Sequence, residues 1–460
     1  MTTEVPLETG RKRSAITSRV RLVSPKDWFG VSLLFLVFFL AFRWAPHLWV
    51  VQKTLGIPSW DTFMRFQADS DALVVNRLMQ NRVGGIWSQQ GFLMFSQHGD
   101  GAYLSQSGFG GWLLALFPTV VGAQGAAGIA VMYSIVAAFN ALLASLAVRA
   151  MARTLSIGAA LVTTFALLQP GPIFLGRSIY WMIGLKVVPA AALILLFSWG
   201  KFTRGRSVLV TWLLSWLAFS SGYEFLTVVV AAQLAVVGYY AIQLRWQIGE
   251  SLKSVATTLI GTGAGFVTAV AVHLAQLFLR LGDKTSALAA LEETVSKRTG
   301  ATGIVVDSVY LQSLAATPGQ VLGIYLDMPV IGAPGTLPIL HFFTVGVLLF
   351  VCGTLVVVDY QSAKAGLPSL RWRAMGVSWF VALLGPLGWF LLARPHSFIH
   401  PHINFALWFL PTIPMGLALI YGPATRGLIG VWKQPLVAAA IFGSFVALAA
   451  FFLISTATVR

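Results

Sequence analysis

Apolar stretches of 12 to 25 residues alternate with short polar, often basic, connections along almost the whole chain. At 1.5 Å per residue a bilayer core of roughly 30 Å takes about 20 helical residues, so this pattern predicts membrane-spanning helices. Runs fall at 28–44, 125–148, 158–175, 181–199, 208–219, 225–242 and 255–279, then at 337–358, 375–392, 405–421 and 435–455. The fold class this predicts is all-α: a polytopic membrane helical bundle of about 11 transmembrane helices, the 208–219 run being the shortest. Two long polar intervals interrupt the pattern, 46–112 after the first span and 282–336 after the seventh. The domain organisation follows as a basic tail over 1–27, a core over 28–358 with those two loops, and further spans over 359–460.

The distribution of bases tests the count. With the amino terminus inside, the inner connections carry Arg149/Arg153, Lys201/Arg204/Arg206, Arg245/Lys253, Lys364/Arg371/Arg373 and Arg426/Lys433. Each has at least two bases, as the positive-inside rule requires. Both long intervals then fall on the outer face.

Composition agrees. The chain is 57% hydrophobic and 10% charged, with a mean hydropathy of +0.79, against about 25% charged in a soluble domain. The net charge of +16 is spread thinly between spans, which suits lipid headgroups rather than nucleic acid. The single cysteine, Cys352, excludes an intramolecular disulfide. No Walker A sequence, HExxH or nucleophile elbow is present. Gly261-Thr262-Gly263-Ala264-Gly265 lies inside a span with no preceding strand, so close helix packing is expected there rather than a nucleotide.

The first long interval holds the main candidate chemistry. From Asp71 the pattern is helical: Val74, Val75, Leu78 and Met79 fall on one side, Asn76, Arg77, Gln80 and Asn81 on the other. This predicts a short amphipathic helix on the membrane surface with Asp69 and Asp71 at its start. The two acids can be a solvated helix start favoured by cap and dipole, or a general base. An Asp-x-Asp also offers oxygen ligands to a divalent cation, which stays open. Arg394-Pro395-His396-Ser397-Phe398-Ile399-His400-Pro401-His402 gathers three of the seven histidines at the outer end of a span. Arg and His there can donate to phosphate oxygens; His396 and His400 alone are a thin basis for zinc. Glu224 sits at an outer hairpin, where an acid costs less than at mid-bilayer. Arg177 and Lys186 raise the same question at the neighbouring hairpin, and Lys186, five residues into its span, is placed to snorkel outward.

The layout resembles the GT-C superfamily of membrane glycosyltransferases, which use polyprenyl-phosphate sugars. The resemblance lies in the loops after spans one and seven, in Asp69-Ser70-Asp71 standing where the acidic motif would, and in Tyr103-Leu104-Ser105-Gln106-Ser107-Gly108 standing where a second surface helix would begin. It covers about 28–358 and departs from the adjacent Asp-Glu pair of protein mannosyltransferases, leaving open which aspartate is catalytic. The resemblance implies an inverting transfer at the outer face of the membrane; the unglycosylated outer loops suit a bacterial inner membrane. Asp69 or Asp71 would take a proton from an acceptor hydroxyl of a glycan, glycolipid or protein. Arg394, His396 and His400, with Arg177, Lys297 and Arg298 as further cations, would stabilise the departing lipid phosphate. Tyr103, Gln106 and Glu224 would contact substrate. No cofactor is assigned, and a divalent cation stays open. A flippase or transporter of lipid-linked saccharides is the alternative, as is an O-antigen polymerase or ligase.

Overall fold

The first described helix, α1 (Trp28–Trp44), lies antiparallel along α4 (Gly125–Thr154). Phe38, Ala41 and Phe42 are buried against Ala137, Ala141 and Val148, small residues on one side that let large rings in from the other. The structure is a computed structural model and describes residues 28–45, 70–80, 94–95, 102–299, 308–330, 344–363 and 370–427. Asp69 and the 435–455 run therefore lie outside the described residues. Apart from a two-residue antiparallel ladder, β1 (Met94–Phe95) with β2 (Ala102–Tyr103), and an isolated antiparallel bridge of Pro329 with Thr344, the described secondary structure is helical.

After α2 (residues 70–80) and α3 (Phe109–Val120) come α4, α5 (Ile157–Leu167) and α6 (Pro170–Arg177). The next are α7 (Ile183–Ser198), α8 (Arg204–Ser220), α9 (Leu226–Gln243) and α10 (Ile248–Leu281). Then follow α11 (Lys284–Thr299), α12 (Ser308–Ala315), α13 (Pro318–Leu326), α14 (Val345–Ala363) and α15 (Leu370–Leu392). Two short helices, α16 (Arg394–Ile399) and α17 (Pro401–Asn404), a 3₁₀ turn over Phe405–Phe409 and α18 (Thr412–Gly427) complete the described chain.

Four of these, α4, α9, α10 and α15, are long and apolar enough to cross a membrane, five if the bent pair α5–α6 is one span. Shorter apolar helices pack beside them. Ile260, Val267, Phe350 and Leu384 are more than 60% exposed, an outward apolar surface that suits lipid rather than water. The predicted single span over 158–175 is instead broken. Pro170 opens α6, and the two halves meet at 68°. Gln169 Nε2 donates to the Phe165 carbonyl at the break (3.2 Å), beside the Leu168 N–H that the same carbonyl accepts (3.2 Å).

Close packing explains the glycine cluster as expected. A Cβ on Gly265 would lie 2.6 Å from the Trp212 carbonyl of α8, whereas Gly263 faces open space. Helices α9 and α15 run antiparallel, Ser378 Oγ donating to Ala235 O and Thr227 Oγ1 to Gly385 O. These pairings sort the connections into two ends. Arg371 meets Thr154 O, and Arg204 pairs with Glu250, at one end. At the other end the turn after α6, the turn after α8 and the loop before α3 come together.

Candidate functional site

At that second end the predicted surface helix proves to be engulfed. Asp71, Leu73, Val74, Arg77 and Leu78 are all buried, Arg77 completely, while Met79 is 46% exposed. The expected sidedness fails at Arg77 and Met79 because neighbours enclose the helix instead of one membrane surface. Burial holds Arg77 down to about 10.

Asp71 is 1% exposed and gathers donors from two other elements. Tyr133 Oη, on α4, donates to its Oδ2 at 2.7 Å. The turn after α6 supplies Ser178 Oγ and the Tyr180 backbone N–H, both at 3.0 Å from Oδ1. Ser178 Oγ also accepts from Trp181 N (3.2 Å), so one serine ties the turn together while it grips the acid. Arg177 and Arg43 lie within electrostatic reach of the same Tyr133.

Tyr180 passes the network on. Its hydroxyl donates to Glu224 Oε1 (3.4 Å) and faces Tyr103 Oη at 3.5 Å. Glu224 lies in the turn after α8, between Gly222 (φ 121°) and Phe225 (φ 71°). A left-handed phenylalanine is a strained conformation, and Met182 (φ 42°) is a second one in the facing turn. Lys186 does not snorkel. It is 2% exposed, and its ammonium donates to Ala218 O and Gly222 O, both at 2.6 Å, at the carbonyl end of α8. A cation on those terminal carbonyls satisfies groups that helix geometry leaves open.

The loop before α3 closes over this group. Ser107 Oγ donates to Ser220 O (2.6 Å). Leu104 O meets Nε2 of His273 at 3.1 Å, and the imidazole's Nδ1 meets Tyr223 Oη at 3.0 Å. A carbonyl only accepts, so Nε2 carries the proton. Gln106 is 1% exposed, and neither atom of its amide has a hydrogen-bond partner among the described residues. Behind this end, between α3, α4 and α7, lies an open apolar crevice of about 110 Å³ lined by Leu114, Phe117, Val136, Phe139 and Leu185.

The Arg–His segment forms a second group. The His396 and His400 rings are 4.8 Å apart, and Asn404 Nδ2 donates to His396 Nδ1 (3.3 Å). Arg394 Nη2 donates to Leu314 O at 3.4 Å. A packed aromatic seam links the two groups: His396 to Trp389 (6.3 Å), Trp389 to Phe225 (6.3 Å), Phe225 to Trp181 (6.2 Å) and Trp181 to Tyr180 (5.9 Å). Among the described residues no three His, Cys, Asp or Glu side chains converge as a metal site would need.

Of the expected site residues, Asp71, Arg177, Tyr103 and Glu224 thus share one polar group with Gln106 packed beside it. Arg394, His396 and His400 sit along the seam. The backbone of Arg298 is in α11, which packs on α16; its side chain and Asp69 lie outside the described residues. Sequence reasoning missed Tyr133, Ser178, Tyr180 and His273. For Tyr133 and His273 the signal was a polar ring inside an otherwise apolar run; Ser178 and Tyr180, in the turn after α6, gave none. The class these features define is an all-helical, membrane-embedded protein with a buried polar centre at one end. No protein-family model matches the chain, nor does any curated protein or solved structure.

Proposed function

We propose that this protein is a membrane glycosyltransferase that moves a sugar from a polyprenyl-phosphate donor to an acceptor hydroxyl, in a GT-C-like bundle of about eleven spans. The observation that carries the reading is Asp71, a carboxylate buried in an apolar chain yet held by Tyr133, Ser178 and Tyr180. Burying a carboxylate is costly unless donors hold it, and an acid kept at that cost beside an apolar crevice is a functional-site candidate. The apolar crevice beside the polar centre also suits a substrate with a lipid tail.

In this reading the acceptor hydroxyl joins or displaces Tyr133 on Oδ2 of Asp71 and gives up its proton as its oxygen attacks the anomeric carbon. The bond to the lipid phosphate breaks, and the electron pair leaves with the phosphate. Inversion results. Asp69 is the second candidate base. Glu224 and Tyr103, joined through Tyr180, contact the sugar hydroxyls, with Gln106 beside them. Arg177, Arg394, His396, His400 and Arg298 are the cations available to the departing phosphate. In this reading the site lies at the outer face of the membrane, and the lack of an Asn-x-Ser/Thr sequon in the outer loops suits a bacterial inner membrane.

Asp71→Asn should lower transfer by at least about 10²-fold, the scale of general-base help, measured as consumption of a polyprenyl-phosphate sugar by purified protein without a transmembrane gradient. Full activity in both Asp69→Asn and Asp71→Asn would reject the base assignment. Buried Lys186 favours a second reading, transport of a lipid-linked saccharide, because charges inside spans line translocation paths. A transporter would leave the donor intact in that assay.

A further inference from the structure

Gln106 is the buried polar group that the network at this end leaves out. Asp71, Tyr180, Lys186 and His273 are each hydrogen-bonded. Gln106 is as deeply buried as Asp71, at 1% exposure, yet neither its Oε1 nor its Nε2 has a partner among the described residues. Folded proteins keep few such amides, because a stranded donor and acceptor lose their water and gain nothing for it. A methionine would fill a similar volume without that cost. Packing therefore does not explain a glutamine here.

The amide is aimed at a notch over Gly222. A Cβ on that glycine would collide with Gln106 Oε1 and lie 3.0 Å from Glu224 Oε2, so the two oxygens border one small space. The φ of 121° reserves the position for glycine and keeps a side chain out of the notch. Gln106 brings an acceptor and a donor to it, and Glu224 brings a carboxylate oxygen. A hydroxyl both donates and accepts, which matches that set. An anionic group has no proton to give and would face Glu224 at close range, where like charges repel strongly.

The apolar crevice reaches the same turn. Gly110 lines it, and a Cβ on Gly110 would lie 2.6 Å from the Cβ of Ser221, the residue before Gly222. An apolar chain held in the crevice brings its polar head to this turn. The loop over the notch is tied at Leu104 O by His273 and at Ser107 Oγ by Ser220 O. Among the described residues no hydrogen bond holds Ser105 or Gln106 between those ties, so the middle of the loop can lift without breaking one.

We propose that Gln106 is a specificity-determining residue: across the Gly222 notch from Glu224, it reads a hydroxyl of an uncharged sugar carried on an apolar chain. This deepens the transferase reading by naming the class of sugar, neutral rather than acidic. It rests on that reading only for the transfer that follows binding.

The test pairs binding with melting. Full-length protein in phosphatidylcholine nanodiscs is titrated with octyl β-D-glucoside and, separately, with octyl β-D-glucuronide, and the melting temperature of each unliganded variant is recorded. The wild type should prefer the glucoside about ten-fold or more. Gln106→Met should weaken glucoside binding about five- to ten-fold, the scale of one lost hydrogen bond, while melting no lower than the wild type. Glu224→Gln should narrow the preference over the glucuronide. Arg204→Ala, at the opposite end, should change nothing. A methionine variant that melts several degrees lower shows that the amide is already paired in the free protein and overturns the proposal. So does a methionine variant that binds the glucoside like the wild type, or a wild type that binds neither probe or favours the glucuronide. The expected pattern without transfer from a polyprenyl-phosphate sugar would remove the transferase reading alone; transfer with glucoside binding indifferent to Gln106→Met would remove only this one.

Discussion

At one end of the bundle Arg204 and Glu250 pair in the open, their side chains 44% and 53% exposed. At the other, Asp71 is 1% exposed and takes its donors from two hydroxyls and a backbone amide. The exposed pair is screened by water and salt and can be lost at little cost. The buried acid has no such fallback, because each of its donors would be stranded without it. Charge at the first end orients helices and keeps their tips wet. Charge at the second holds three separate stretches of chain in one arrangement.

Removing each acid tests this contrast. Asp71→Ala should cost about 3–5 kcal/mol, the scale for breaking a buried charged cluster, and Glu250→Ala at most about 1 kcal/mol. Thermal unfolding in one detergent compares them, and equal shifts would erase the distinction between the ends. Lys186→Met comes next. It leaves the Gly222 carbonyl without its donor, while the Ala218 carbonyl keeps Ser221 Oγ at 2.7 Å, for about 2–4 kcal/mol from two lost charge-assisted bonds; an outward-snorkelling lysine would tolerate methionine. Gly222→Ala is smaller, about 1–3 kcal/mol of backbone strain, since φ is 121° and the new methyl would collide with Gln106 Oε1. The melting curve should fall while Gly263→Ala, facing open space, leaves it in place.

The smallest effect belongs to Asp283 on the exposed fringe. Its hydrogen bonds from Ser286, including the backbone N–H at 2.8 Å, hold its carboxyl below the usual range. A depressed folded pKa stabilises above the unfolded value of about 4 and is lost as pH falls through the folded one. Protection of the amides at the start of α11, taken relative to their intrinsic exchange rates, should fall below about pH 4, with no matching change in α4.

How much of this could be read from the letters depends on the kind of residue. Helix 70–80 is legible from Val74 and Leu78, and both are buried as the period requires. Arg77 is not, because a 3.6-residue period names a face but not what lies against the opposite one. The glycine run in α10 is legible, since Gly261 and Gly265 share a side and meet α8. The partners of Asp71 are not. Tyr133 and Ser178 stand 62 and 107 positions away from it, and no local pattern says that an apolar run will turn one hydroxyl toward an acid. The bend at Pro170 was hidden for a related reason: hydropathy adds up residues without asking whether the axis continues.

That bend has a consequence for how the arginine of α6 is aimed. The eight-residue spur acts like a compass needle on a fixed pivot, since each residue of a helix turns the bearing by about 100°. Gly176 is pressed so tightly on Phe42 that a methyl there would sit 2.6 Å from the ring, which locks the needle at one heading. Adding or deleting one residue beside Pro170 would spare the length, hydropathy and charge of the chain almost entirely, yet swing Arg177 to a different quadrant.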